Sequence, residues 1–169
     1  MKPESATNRD EFIDKIRKFP HDLVEVCSRL TQNQLQQPCL PEHPSLDGDW
    51  NIAQTIHHIA DSHTHAYTRM KFMLAEDETV FKTWDQVAWS TLNDYQSLDI
   101  EPSLQYIAAL HNRWTRLLES LTEADFERYG EHPEMGRISL YEILKTYARH
   151  GHGHIEQIRK SIDCKTFNS

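Results

Sequence analysis

Histidines are the residues of this sequence whose spacing could do chemistry, and seven of the eleven fall into two short clusters. The first cluster contains His57, His58, His63 and His65, and the second contains His150, His152 and His154. Imidazole is a common ligand of zinc and related divalent ions, and histidine also transfers protons near neutral pH. The two clusters therefore predict a metal site.

The second cluster allows two local structures, and each places different side chains together. In a strand, His150, His152 and His154 would share a face, whereas in a helix only His150 and His154 lie one turn apart. The helical period of the flanking apolar residues and a capping box of Ser139 and Glu142 favour the helix. A histidine pair at this spacing suits a metal ion when a third ligand comes from another element.

The first cluster offers four candidates for that third ligand. His63 lies on the apolar stripe of its predicted helix, which indicates a core residue or a group behind a ligand. His58 lies off the centre of that stripe, with Asp61 and His65 near it. A buried histidine that only makes a hydrogen bond is the alternative for each of them. The spacing alone leaves the third ligand open.

Gly151 and Gly153 interrupt the second cluster, and each costs about 1 kcal/mol relative to alanine inside a helix. Such a local violation is typical of a functional or tightly packed position. Our hypothesis is that the missing side chains let a neighbouring helix or a ligand come close.

The elements that must position these histidines are four predicted helices without a strand pattern or a repeat. Apolar residues at helical spacing predict helices at about 8–30, 51–76, 102–121 and 140–162, and Pro- and Gly-containing sequence connects the first two over 37–50. Residues 77–100 lack a clean period and indicate a long crossover between the second and third helices, with room for one short helix. We read Trp84, Trp89 and Trp114 as packing residues. The sequence predicts an all-α four-helix bundle in one domain spanning residues 1–169.

Composition excludes several classes of function. The net charge of −8 has the wrong sign for a surface that neutralises phosphates, so nucleic acid is not an expected partner. The sequence has no apolar run that approaches the roughly 20 residues of a membrane span, and its first residues lack the apolar core of a signal peptide. We therefore expect a cytoplasmic protein. Cys27, Cys39 and Cys164 have no metal-binding spacing and are expected to be free thiols.

Several motifs in a fixed order resemble the YfiT-like branch of the DinB superfamily over nearly the whole chain. They are Trp50-Asn-Ile-Ala-Gln-Thr-Ile-His57-His58-Ile-Ala-Asp61-Ser-His63, Tyr67-Thr-Arg69-Met-Lys71, Leu110-His111-Asn-Arg113-Trp114, His132-Pro133 and the closing His150-x-x-x-His154-Ile. The sequence departs from the family in its Gly-His-Gly insert and in Trp84-Asp85, which opens the crossover motif. These departures prevent a transfer of substrate details.

The resemblance implies a four-helix bundle and one divalent metal ion per chain, zinc or nickel, held by three histidines. These are the histidine before Ile-Ala-Asp and the two of the terminal motif, which correspond to His58, His150 and His154. The resemblance also implies a homodimer. Family members are described as metal-dependent hydrolases, while relatives transfer low-molecular-weight thiols such as bacillithiol.

An ion with three neutral ligands and a free coordination position is typical of a catalytic site. We expect an enzyme that acts on a small molecule, with thiol transfer to electrophiles ahead of hydrolysis of a small ester or amide. A metal-binding or damage-response module without turnover is the third reading. Asp61 is a candidate for orienting a ligand or accepting a proton, with a solvated surface acid as the alternative. His111 is a candidate auxiliary acid or base, with a structural histidine as the alternative.

Overall fold

Four long helices make up the bundle in the computed structural model, which describes residues 4–40 and 50–166 and the side chains of 8–40 and 50–163. They are α1 (Glu4–Cys27), α3 (Ile52–Ala75), α5 (Glu101–Glu119) and α7 (Leu140–Thr166). The predicted all-α four-helix bundle is confirmed. Part of the predicted first connection, positions 41–49, and the side chain of Cys164 lie outside the described residues.

The helices pack so that α1 and α3 each contact both α5 and α7. The order around the bundle is therefore α1–α5–α3–α7. Two clusters of buried apolar residues fill the interior, one around Leu23, Ile56 and Ile158 and the other around Ile16, Met70 and Trp114. His58 and His63 of α3 and His154 of α7 are buried between these helices.

Local signals fix where the helices begin. The side chain of Asn51 caps α3 and exchanges hydrogen bonds with Gln54, and Ser139 and Glu142 form the predicted capping box before α7. Each box satisfies backbone N–H groups that have no partner inside the helix. Pro102 lies in the first turn of α5, where its missing N–H costs nothing.

The connections contain more structure than the one short crossover helix that the sequence pattern predicted. Two short helices, α2 (Gln32–Leu35) and α6 (Glu123–Glu127), follow α1 and α5, and the crossover holds α4 (Gln86–Ser90) and a 3₁₀ turn (Asn93–Gln96). An antiparallel hairpin, β1 (Tyr129–His132) and β2 (Gly136–Ser139), precedes α7. The expectation of no strands is therefore wrong at this point, because four-residue strands are too short to produce a clear alternation.

The crossover is attached to the bundle at both of its ends. A bridge joins Val80 to Glu131 of β1, and the buried Tyr95 donates a hydrogen bond from its hydroxyl to the Asp61 carboxylate of α3. The tryptophans between these two points are thereby held against α3. Among the described residues, no helix is both long enough and apolar enough to cross a bilayer.

Candidate metal centre

Helices α3 and α7 bring three of the predicted site residues together. His58 comes from α3, and His150 and His154 lie one turn apart on α7, so the helical reading of the second cluster is confirmed. One ring nitrogen of each lies within 4.8 Å of the others. His58 and His154 are buried and His150 is half-buried, whereas His152 points to solvent. That these residues hold a metal stays a prediction.

Two ring nitrogens in this cluster lie unusually close. His150 Nε2 and His154 Nε2 are 3.0 Å apart. The other nitrogen of His154, Nδ1, lies 2.6 Å from the side-chain oxygen of Gln157. An amide oxygen only accepts hydrogen bonds, so Nδ1 carries the proton and Nε2 of a neutral His154 presents a lone pair.

The protonated nitrogen of His150 follows from a chain of buried imidazoles. His111 Nδ1 donates to the backbone carbonyl of Ile16 at 2.7 Å, which leaves His111 Nε2 as an acceptor for His63 Nδ1 at 2.8 Å. His63 Nε2 then accepts from His150 Nδ1 at 3.2 Å. Burial lowers the pKa of His111 to about 4 and that of His63 well below its usual value, so both rings are neutral. In a neutral His150, Nε2 is therefore the nitrogen that presents the lone pair.

Two lone pairs at 3.0 Å repel unless a cation lies between them. Burial, with a smaller contribution from His154, lowers the pKa of His58 to about 3, and its buried Nδ1 has no hydrogen-bond partner among the described residues. Within the described part of the chain, no carboxylate joins the group. Three clustered imidazoles fit a zinc- or nickel-type divalent ion.

Tryptophan rings cover His58 on α3. Trp50 lies 4.6 Å from the His58 ring, and Trp84 of the crossover stacks on His58 at 5.7 Å and 12° and on His65 at 4.6 Å and 20°. Trp114 is a packing residue as expected, since it is fully buried and its N–H donates to the Met70 sulfur. Trp84 also packs as expected, and its ring covers one side of the histidine cluster.

Asp61 is not brought into the histidine cluster. Its carboxylate accepts the Tyr95 hydroxyl at 2.7 Å and lines a cavity of about 360 Å³ together with His57, Asp94 and Tyr106. None of the three clustered histidines lines that cavity. Burial raises the pKa of Asp61, although the Tyr95 hydrogen bond opposes this effect. The structure gives Asp61 no contact through which it would orient a metal ligand, so its catalytic role stays a prediction.

The geometry of His111 matches the structural alternative. The ring is almost fully buried, and its two nitrogens are occupied by the Ile16 carbonyl and by His63. A direct acid–base role would need a ring nitrogen that reaches the substrate, which this arrangement does not offer. Sequence reasoning also missed Gln157, although its position three residues after His154 on one helix was a usable signal.

Gly151 allows a close contact between α7 and α1. A Cβ atom at this position would lie 2.7 and 2.8 Å from ring atoms of the buried Phe19 and 3.3 Å from the His63 ring. The hypothesis that the missing side chain lets a neighbouring helix approach is confirmed for Gly151 and stays a prediction for Gly153.

We expect Gly151→Ala to destabilise the fold although alanine is the better helix former. Overpacking a core costs about 1–3 kcal/mol and alanine returns roughly 1 kcal/mol, so the free energy of unfolding should fall by about 1 kcal/mol. Urea unfolding measures this change. Phe19→Leu in the same chain should recover part of the loss, and a Gly151→Ala protein as stable as wild type would contradict the packing argument.

Comparison with known proteins identifies relatives that share one family and one functional description. A sequence profile of the DinB superfamily matches residues 15–158. The Bacillus subtilis protein named "Putative metal-dependent hydrolase YfiT" is 36% identical over 155 residues, which cover 91% of this chain and 84% of the relative. An Oceanobacillus iheyensis protein with the same functional description is 40% identical, over 88% of this chain and 83% of its own length.

Two solved structures resemble the bundle to different degrees. YfiT from Bacillus subtilis, described as a probable metal-dependent hydrolase with an unusual four-helix bundle topology, superposes with a TM-score of 0.87 at 33% identity, covering 98% of this chain and 92% of that one. A mycothiol-dependent maleylpyruvate isomerase gives a TM-score of 0.65 at 14% identity, covering 89% and 60%. The second likeness concerns the fold alone.

Proposed function

Since the chain belongs to the DinB superfamily, with relatives described as metal-dependent hydrolases, we propose that it is a metal-dependent hydrolase of small molecules. In this proposal His58, His150 and His154 hold one divalent ion per chain. The observation that carries it is that one ring nitrogen each of His58, His150 and His154 lies within 4.8 Å of the others, with no carboxylate of the described residues among them.

A metal ion explains this arrangement better than a shared proton does. A proton between the two nitrogens would satisfy His150 and His154, but it would leave the buried Nδ1 of His58 without a partner. One ion can satisfy all three rings. When bound, such an ion keeps its full charge and a free coordination position, and it lowers the pKa of a water or thiol that binds there.

The side chains around the three histidines prepare the site for that ion. Gln157 holds His154 through Nδ1, and His63 holds His150 through Nδ1, so the Nε2 atoms of both rings point at each other. The rings of Trp50 and Trp84 shield His58 from solvent and strengthen electrostatic interactions at the site.

Metal analysis and a hydrolysis assay test the proposal. Untagged protein should contain about one zinc or nickel ion per chain. Zinc-loaded protein should hydrolyse an activated ester such as p-nitrophenyl acetate, and removal of the ion by a chelator should abolish the turnover. A chain that binds metal but turns over neither esters nor amides would contradict the hydrolase assignment and favour a module without turnover.

The thiol-transfer reaction that the resemblance implies is separated by a second assay. Zinc-loaded protein would consume a low-molecular-weight thiol such as bacillithiol together with monochlorobimane, and ester turnover without thiol would be absent. That pair of results would replace hydrolysis by transfer while leaving the metal site intact.

We further propose that the chain is one domain and forms a homodimer in the cytoplasm. A single cooperative unfolding transition would support one domain, and sedimentation at micromolar concentration would detect the dimer. Two separate transitions, or a monomer at all concentrations, would remove the corresponding proposal.

A further inference from the structure

We propose that His63 and His111 are positioning residues, which fix the ring orientation and the protonated nitrogen of the metal ligand His150. This inference rests on the proposed metal site and adds two residues to it. The contact chain runs from the Ile16 carbonyl through His111 and His63 to His150, with distances of 2.7, 2.8 and 3.2 Å.

All four long helices contribute a residue to this series of hydrogen bonds. Ile16 belongs to α1, His111 to α5, His63 to α3 and His150 to α7. A backbone carbonyl can only accept a hydrogen bond, so the first link has one possible direction. Each neutral imidazole has one donor and one acceptor nitrogen, and the direction set at Ile16 is therefore passed to His150.

The apolar surroundings of the His63 and His111 rings prevent them from forming other hydrogen bonds. His63 and His111 are at most 1% exposed, and the Phe19 ring lies 5.0 Å from the first and 5.1 Å from the second. Trp114 and Tyr147 meet the His63 ring edge-on at 6.0 and 5.5 Å. A ring that turned around would bury an N–H group without a hydrogen-bond acceptor, which is unfavourable.

This series of hydrogen bonds is unsuited to carrying protons away from the metal site. It ends at the Ile16 backbone carbonyl inside the protein. This group accepts a hydrogen bond but is too weak a base to take up a proton, unlike water or a carboxylate. Its effect on His150 is therefore orientation, as hydrogen-bonded groups behind metal-binding histidines provide elsewhere.

Two substitutions at His63 separate orientation from packing. His63→Phe keeps an aromatic ring but removes both nitrogens, and we expect the zinc dissociation constant of the full chain to rise by about 10- to 100-fold. His63→Gln offers an amide N–H to His111 and an amide oxygen to His150, and it should retain most of the affinity. His57→Phe is the matched control, because His57 is a buried histidine of the same helix that bonds Ser103 and the Ser97 carbonyl instead.

A two-dimensional proton–nitrogen NMR spectrum of the zinc-loaded wild-type chain gives a readout that does not depend on a substitution. His63 and His111 should both carry their proton on Nδ1. A proton on His63 Nε2 would overturn the inference, and this spectrum decides the question if His63→Phe does not fold.

The outcomes distinguish this inference from the proposed function. If His63→Phe binds zinc as tightly as wild type while His150→Ala does not bind it, the positioning role is wrong and the metal site stands. If the wild-type chain binds neither zinc nor nickel, the metal site is wrong and the positioning role is overturned with it.

Discussion

Replacing His154 by alanine is expected to weaken zinc binding by more than roughly 100-fold. His154 is buried, its Nδ1 is held by Gln157, and its Nε2 lies 3.0 Å from His150 Nε2. Removal of this ring deletes one of three ligands, so the loss should exceed the roughly 10- to 100-fold change that outer-shell partners produce. Isothermal titration or competition with a chromogenic chelator measures the change.

His152→Ala is the matched control for this experiment. His152 lies on the same helix between the two ligands, but its side chain is exposed and lies outside the histidine group. Zinc binding and ester turnover should be unchanged by His152→Ala and lost together in His154→Ala. Equal losses in the two variants would show that α7 responds to alanine generally, and an unaffected His154→Ala protein would rule out the site.

The pair on α7 is the part of the site that local sequence predicts best. His150 and His154 lie four residues apart, and a helix of constant pitch places them together without any knowledge of the fold. The choice of His58 as the third ligand required more information, because four histidines of α3 were candidates and only the resemblance to a family distinguished them. Which face of α3 meets α7 depends on the packing of four helices, and the spacing within one helix does not contain that information.

The hydrogen-bond partners of His63 are a second feature that the sequence could not predict. Its place on the apolar stripe correctly indicated a buried group, but its two partners come from α5 and α7, 48 and 87 residues away. The contact of Trp84 with His58 was not predicted for a similar reason, since the crossover has no periodicity from which it could be read. The hairpin before α7 was missed because its strands are only four residues long.

Acidification is expected to unfold the metal-free protein steeply between about pH 6 and pH 4. Burial lowers the pKa of His58 to about 3, of His111 to about 4 and of His63 well below its usual value, whereas an unfolded histidine titrates near 6.5. In that window the unfolded chain binds more protons than the native chain. The contribution of these neutral histidines to the free energy of unfolding is therefore fully present above about pH 6.5 and is lost as the pH falls.

The size of this effect follows from the number of protons. Each contributes about 1.4 kcal/mol per pH unit, so three buried histidines give a slope of about 4 kcal/mol per pH unit. Asp61, whose pKa burial raises, opposes this slope by at most one proton. Two pH units can thus remove most of the roughly 5–15 kcal/mol that stabilises a typical domain.

Urea unfolding of chelator-treated protein at several pH values between 7 and 5 measures the slope directly. His111→Gln tests the assignment, because an amide can donate to the Ile16 carbonyl and accept from His63 but does not titrate. The slope of that variant should be smaller by about one proton, or roughly 1.4 kcal/mol per pH unit. A wild-type slope below one proton would mean that the buried imidazoles are charged in the native state, and the directions assigned to their hydrogen bonds would then be wrong.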